Sequence, residues 1–302
     1  MKKSLFDLAA RRILITGSNG GLGFELARGL AGHGARVVLN GRNPQKLEQA
    51  VEKLRAEGLT AEGSAFDVTD EAGICRAVAD LEASGPIDCL VNNAGIQRRV
   101  RLDELECATW HEVLNTNLTS AMLVSREVAK RMIPRKAGKI VNICSLMSDV
   151  GRITTGPYTA AKGGLKMLTK AMCADWAQFN IQVNAVGPGY FITEMTQVLA
   201  DNPEFDAWGQ RSHTIQAVGL SGRACRRHRF LLQRSLLIHQ RANHLRRWRN
   251  DFSPLTLLFI VILGMFDRRV AMVIIVMGVS GSGKTTIGRA VAAALQWGFS
   301  DG

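Results

Sequence analysis

The stretch Ile13-Leu14-Ile15-Thr16-Gly17-Ser18-Asn19-Gly20-Gly21-Leu22-Gly23 decides the fold. A short β-branched run, Ile13–Thr16, enters a glycine-rich turn. The turn opens directly into a helical pattern over Gly23–Gly32. Glycines there let the backbone turn tightly and approach a pyrophosphate, and the helix start offers free N–H groups and the positive end of its dipole. The strand before and the helix after supply the context this motif requires. Gly17, Ser18, Asn19, Gly21, Leu22 and Gly23 are therefore candidate dinucleotide contacts.

Outward from this turn, the first two-thirds of the chain repeats the same alternation. Strand-like runs recur at Arg36–Leu39, Cys89–Asn92, Lys139–Ile143 and Ile181–Val186. Helical patterns lie between them, at Pro44–Gly58, Glu71–Ala83, Thr109–Met132 and Tyr158–Phe179. Strands separated by helices of this length imply βαβ units, a parallel sheet and a doubly wound α/β fold of the Rossmann type. The second strand ends in Asn40-Gly41-Arg42. An acidic residue there would accept hydrogen bonds from a ribose 2′-hydroxyl. Gly41 and Arg42 instead leave room and positive charge for a 2′-phosphate, so Asn40 and Arg42 favour NADP(H) over NAD(H). Asp67 and Val68, expected to end a third strand, are placed to touch the adenine.

The bulk composition is globular, with 46% hydrophobic and 21% charged residues among 302. The net charge of +12 is concentrated: residues 209–250 hold ten Arg and no Lys, Asp or Glu. Arginine without lysine or interleaved aromatics argues against a nucleic-acid partner. The six cysteines form no CxxC pair, so neither a zinc site nor a disulfide framework is expected. No metal site is expected. The start, MKKSLFDLAARR, lacks the apolar run of a secretory signal, which points to the cytoplasm. The apolar run Leu255–Phe266 is 12 residues long, short of the ~20 that span a bilayer.

Six ordered motifs resemble the short-chain dehydrogenase/reductase family. They are TGSNGGLG at 16–23, NNAG at 92–95, Asn117 in NTNLTS, Ser145 in VNICS, Tyr158-xxx-Lys162, and Pro188-Gly189. The resemblance runs from residue 12 to about 208. It implies a nicotinamide-dependent oxidoreductase that interconverts a secondary alcohol and a ketone. Cofactor contacts would include Asn93, Ala94, Gly95, Tyr158, Lys162, Pro188, Gly189 and Thr193. The chemistry of the residues agrees. Tyr158 and Lys162, four apart on a helix, face the same way. A phenol near pKa 10 is a poor base at neutral pH, and a neighbouring ammonium is expected to bring it down. Ser145, at a strand end, can hold a substrate carbonyl oxygen. By resemblance, Lys162 also bonds the nicotinamide ribose and Asn117 holds a proton-relaying water. Within the family, residues 142–195 are most similar to the gluconate 5-dehydrogenases, reductases of 5-ketogluconate. Arg98 and Arg99 would then pair with a sugar-acid carboxylate.

The tail has a different texture. Gly278-Val279-Ser280-Gly281-Ser282-Gly283-Lys284-Thr285 fits a phosphate-binding loop, follows a strand-like run and opens a helix. Read alone it suggests an ATP-dependent phosphotransferase. Residues 272–302 resemble the start of a gluconokinase, but only 17 residues follow Thr285, with no second strand to carry an acidic magnesium ligand. The segment 209–271 reads as a frameshift. Taking the last two bases of each codon with the first of the next, residues 217–250 can encode RWG, EEL, INGQ and VDGG. These words resemble, in order and spacing, the family's C-terminal part. The expected domains are therefore 1–208, a short-chain dehydrogenase fold; 209–271, an aberrant Arg-rich and apolar segment; and 272–302, a vestigial phosphate loop with Gly278, Gly283, Lys284 and Thr285. The family's last strand and helix, which usually build its homo-oligomer contact, would be lost, and poor solubility and weak activity are expected.

Overall fold

The computed structural model describes residues 8–188 together with Val276 and Met277. The chain divides into two compact units, Met1–Gly187 and Pro188–Gly302. In the second unit the described structure is a two-residue strand, Val276–Met277, within the run that the sequence marks as strand-like. The expected boundary near 208, the segment 209–271 and the loop residues Gly278, Gly283, Lys284 and Thr285 lie outside the described residues.

The first unit carries six parallel strands: β1 (Arg12–Ile15), β2 (Arg36–Gly41), β3 (Ala61–Ala65), β4 (Cys89–Asn92), β5 (Gly138–Ile143) and β6 (Ile181–Val186). Their order across the sheet is β3-β2-β1-β4-β5-β6. Every pair is parallel, and the register places Leu14 beside both Val38 and Leu90. Such strands are covered on both faces and read as continuous apolar runs. Accordingly, all four residues of β1 and of β4 are buried. β3, with the sequence AEGSA, is the edge strand, with Ala61 buried and its other residues half-buried or exposed. It ends at Ala65, short of Asp67 and Val68, which were expected to end it.

Six helices follow: α1 (Gly21–Gly32), α2 (Pro44–Ala56), α3 (Glu71–Ala83), α4 (Cys107–Leu114), α5 (Ser120–Arg135) and α6 (Gly156–Trp176). α2 starts where local chemistry favours it. The Asn43 side chain accepts from the Lys46 N–H, and Pro44 occupies the first turn. Residues 109–132 read as one helix in sequence. In the structure a wide turn with i→i+5 bonding, Asn115–Thr119, separates α4 from α5. The apolar core joins Leu14, Leu90, Ile140 and Val183 of the sheet to Val78, Val128 and Met172 of the helices.

Arg12 was not singled out by its sequence context. Its guanidinium is buried, donates from Nε to Glu62 at 2.7 Å and from Nη2 to Ser84 at 2.9 Å, and bonds the Leu81 and Gly85 carbonyls from Nη1. One cation thus satisfies carbonyls at the end of α3 and ties them to β1 and β3.

The strand order reverses between β1 and β4: β2 lies on one side of β1 and β4 on the other. In open α/β sheets ligands bind at the carboxyl ends of the strands beside such a point. The β1–α1 turn, the loop after β4 and the crossing from β5 to α6 all emerge there.

Candidate active site

The β1–α1 turn is a cradle built by close approach. Gly17 has φ +61°, and a Cβ on it would stand 2.8 Å from the Ala94 Cα. A Cβ on Gly23 would meet the Gly17 carbonyl oxygen and the Asn93 Nδ2 at 2.4 Å each. The loop is pinned from two directions. Asn93 Nδ2 donates to the carbonyls of Thr16 and Gly17 at 3.0 and 2.9 Å, and the N–H groups of Asn93 and Ala94 donate to Thr16 Oγ1. From the other side, the Gly17 N–H donates to Asn40 Oδ1 at 3.1 Å, and the Asn40 N–H donates to Ser18 Oγ at 3.0 Å. The start of α1 has no side-chain cap and no acidic residue in its first turn. Its N–H groups and dipole are therefore available to an anion, and the residues present fit a dinucleotide pyrophosphate.

At the β5–α6 crossing the side chains meet one another. Ser145 follows β5, and its Oγ accepts from the Met147 N–H at 3.1 Å while Ser148 Oγ accepts from the Ser145 N–H. This reciprocal cap fixes the turn that carries it. The side chains of Ser145 and Tyr158 are hydrogen-bonded to each other. Lys162, one helical turn on, is 3% exposed, and its Nζ lies 5.6 Å from the Tyr158 ring centre. That ammonium donates to the Ile143 carbonyl at 2.7 Å.

The electrostatics differ from the sequence expectation. Burial pushes the Tyr158 phenol up, against the hydrogen bond with Ser145, which pulls it down, and the nearby Cys144 adds to the rise. Loss of solvation outweighs the hydrogen bond with Ser145, and the lowering expected from Lys162 is not among the causes that set the phenol. Lys162 itself is brought down from 10.5 to about 8, by burial, against an opposing pull from Cys144.

Residues 11–204 match the family described as short chain dehydrogenase. The chain belongs to that family. It is 49% identical over 205 residues to gluconate 5-dehydrogenase of Gluconobacter oxydans, covering 68% of this chain and 80% of that one. It is 50% identical over 205 residues to 5-keto-D-gluconate 5-reductase of Escherichia coli, covering 68% and 81%. Among solved structures, a gluconate 5-dehydrogenase from Burkholderia cenocepacia in complex with NADP and tartrate is 47% identical. It superposes with a TM-score of 0.68 over 70% of this chain and 83% of its own. By family, then, this dehydrogenase is an oxidoreductase.

The remaining site residues of the dehydrogenase take varied positions. Ser18 and Asn40 are buried, at 0% and 1% exposure. The Ser18 hydroxyl donates to Ile15 O, and Asn40 Nδ2 donates to the carbonyls of Ser64 and Phe66. These side chains brace the cradle and do not face a ligand. Asn19 lies against Gly41, and Leu22 is partly open on α1. Arg42 is exposed and pairs with Asp67 at 3.7 Å. Burial acts to raise the Asp67 carboxyl, but hydrogen bonds from Thr69 and the Arg42 charge together hold it low. Val68 is in the apolar core.

Asn117 is buried in the wide turn. Its Nδ2 donates to the Ile96 and Val113 carbonyls and its Oδ1 accepts from the Ile96 N–H, so its side chain fixes the loop after Gly95. That leaves its side chain clamping a loop. Arg98 was expected to offer a fork to a carboxylate. The structure places that fork on Glu112, with Nε and Nη2 at 3.0 and 2.7 Å. The partner sits 14 residues away on α4, beyond the reach of local sequence reading. Arg99 is exposed on the same loop. Pro188 closes the described segment, whereas Gly189 and Thr193 lie outside it. Among the described residues no helix is long and apolar enough to cross a membrane.

Proposed function

We propose that this dehydrogenase interconverts gluconate and 5-ketogluconate, using NADP(H), with Tyr158 as the acid and base. The observation that carries the reading is the joined set of Ser145, Tyr158 and Lys162 on the same carboxyl-end edge of the sheet as the dinucleotide cradle. When bound, the nicotinamide supplies or receives the hydride. Ser145 holds the substrate oxygen, and the Tyr158 phenol delivers its proton to that oxygen as the carbonyl is reduced. The upward shift of the phenol keeps it protonated at neutral pH. Reduction therefore runs at neutral pH, whereas alcohol oxidation, which needs the phenolate, is expected to rise steadily toward alkaline pH. Lys162 places positive charge beside the phenol and orients the nicotinamide ribose. Arg42 receives the 2′-phosphate, and the two relatives named for gluconate chemistry, with the tartrate of the related structure, support a sugar acid as substrate. Arg99 and, after exchange from Glu112, Arg98 are assigned to its carboxylate.

Residues 209–271 are read as the family's own C-terminal part in another frame. The family match ends at residue 204, close to the expected boundary at 208, which supports this. The gene sequence tests it: a neighbouring frame that fails to encode RWG, EEL and VDGG in order removes the idea. The five cysteines of the described residues are all free, which supports a reducing compartment such as the cytoplasm. The activity itself is tested by following NADPH oxidation with 5-ketogluconate.

A further inference from the structure

Helix α6 packs mainly on β6 and reaches the neighbouring β5 through polar side chains of a stripe that recurs at Tyr158, Lys162, Leu165, Thr169 and Met172, the spacing of one helical face. Leu165 and Met172 bury that face but cannot fix its rotation, because apolar contacts are non-directional. The polar members can. Three rungs connect α6 to one short segment, Asn142–Ser145. Tyr158 is hydrogen-bonded to Ser145, and Lys162 donates to the Ile143 carbonyl at 2.7 Å. Thr169, two turns below Lys162, accepts from Asn142 Nδ2 at 2.9 Å. The first two rungs form the proposed reaction site, while the third touches no reacting group.

The third rung is also tied into the rest of the unit. The Thr169 hydroxyl donates to the Leu165 carbonyl at 2.7 Å, so the threonine is held by its own helix as well as by the strand. Asn142 Oδ1 accepts from Asn92 Nδ2 of β4 at 2.8 Å, and that same amide donates to Ser125 of α5 at 2.7 Å. The line thus crosses α6, β5, β4 and α5. Asn142 and Ser125 have no exposure, and Thr169 has 6%. Buried polar groups cost free energy unless paired, and Asn92 Oδ1 is buried without a partner among the described residues. An apolar contact of the same shape would avoid that cost, but it would not define an orientation.

We propose that Thr169 and Asn142 are positioning residues for the reaction: they set the rotation and height of α6 on β5, and thereby the meeting of Tyr158 with Ser145 and of Lys162 with Ile143. The inference rests on the proposed reductase function. The variants are Thr169→Val, which keeps the shape and removes the hydroxyl, and Thr169→Ser, which keeps the hydroxyl. With 5-ketogluconate, Thr169→Val should lower kcat about tenfold, or about 1.4 kcal/mol of barrier, with KM and the NADPH dissociation constant changed less than twofold. Thr169→Ser should restore kcat. A second readout needs no substrate. The chain has two tyrosines, so in a Tyr190→Phe background ultraviolet absorbance follows Tyr158 alone. Tyr158 faces Lys162 on its own helix and Cys144 from the end of β5. Loosening α6 should return its ionisation toward the ordinary value in the valine variant and not in the serine variant. Normal kcat and normal Tyr158 ionisation in Thr169→Val, with only a lower melting temperature, would make the rung merely structural and overturn the proposal. If Thr169→Val does not fold, Ser125→Ala removes the far anchor: a two- to threefold loss of kcat is expected, and no change overturns the proposal. Absence of 5-ketogluconate reduction in the parent chain, with the Tyr158 shift still dependent on the Thr169 hydroxyl, would instead fault the assigned reaction.

Discussion

At the β1–α1 cradle the polar side chains of the motif turn back into the protein, whereas at the β5–α6 crossing they meet one another across the site. Ser18, Asn40 and Asn93 hold the turn so that glycines and backbone N–H groups face outward. Ser145, Tyr158 and Lys162 are the side chains proposed to react. The difference follows from the tasks. A pyrophosphate is bound by backbone N–H groups, which side chains serve only by bracing the loop. Proton transfer requires a titratable side chain within hydrogen-bond reach. Substitutions in the cradle should therefore change binding, and substitutions at the crossing should change rate.

The largest effect is expected at Lys162. Lys162→Met should reduce kcat by about 100-fold or more. It should also stabilise the fold near neutral pH. The folded-state value of about 8 lies below the 10.5 of an exposed lysine. The unfolded chain thus binds more protons between these values, and stability rises with pH across that window. Below about pH 8 the buried charge costs on the order of 3 kcal/mol, partly offset by its bond to the Ile143 carbonyl. Denaturant melts of both proteins at pH 7 and pH 10 check this; a variant less stable than its parent at pH 7 would oppose it.

In the cradle, Gly23→Ala places a methyl group 2.4 Å from the Gly17 carbonyl oxygen. The turn must shift, and NADPH affinity measured by fluorescence should fall about 30-fold, together with about 2 kcal/mol of stability. Unchanged affinity would show that the turn does not bind the cofactor. Arg42→Ala should weaken NADPH about tenfold and leave NADH within twofold, consistent with the loss of one charge-assisted contact. Equal weakening of both would remove the 2′-phosphate assignment. The smallest effect is expected at the ion pair of Lys166 with Asp149, which joins α6 to the turn after Ser145. Lys166→Met should lower kcat two- to threefold, a difference that fades at high salt.

Much of this architecture could be read from the residues because motif and context coincide. Ile13–Gly23 specifies strand, turn and helix together, and Tyr158 with Lys162 follows from helical spacing. What could not be read depends on partners distant in sequence. Arg12 finds Glu62 and Ser84, and Arg98 finds Glu112 rather than staying open to a carboxylate. The break at Asn117 is set by its bonds to Ile96 and Val113, not by a breaker in the sequence. β3 escaped direct detection because AEGSA, at a sheet edge, lacks an apolar run. The direction of the Tyr158 shift required burial, which the spacing of tyrosine and lysine does not encode.

The most direct measurement is NADPH oxidation with 5-ketogluconate by four proteins: the chain as encoded, its Tyr158→Phe variant, and the same pair with the reading frame restored after residue 208. Slow oxidation by the encoded chain is expected, at least tenfold faster oxidation by the restored one, and a loss of about 1000-fold in each Tyr158→Phe variant with NADPH affinity retained. Oxidation that survives Tyr158→Phe, or a restored chain that leaves 5-ketogluconate untouched, would contradict the account.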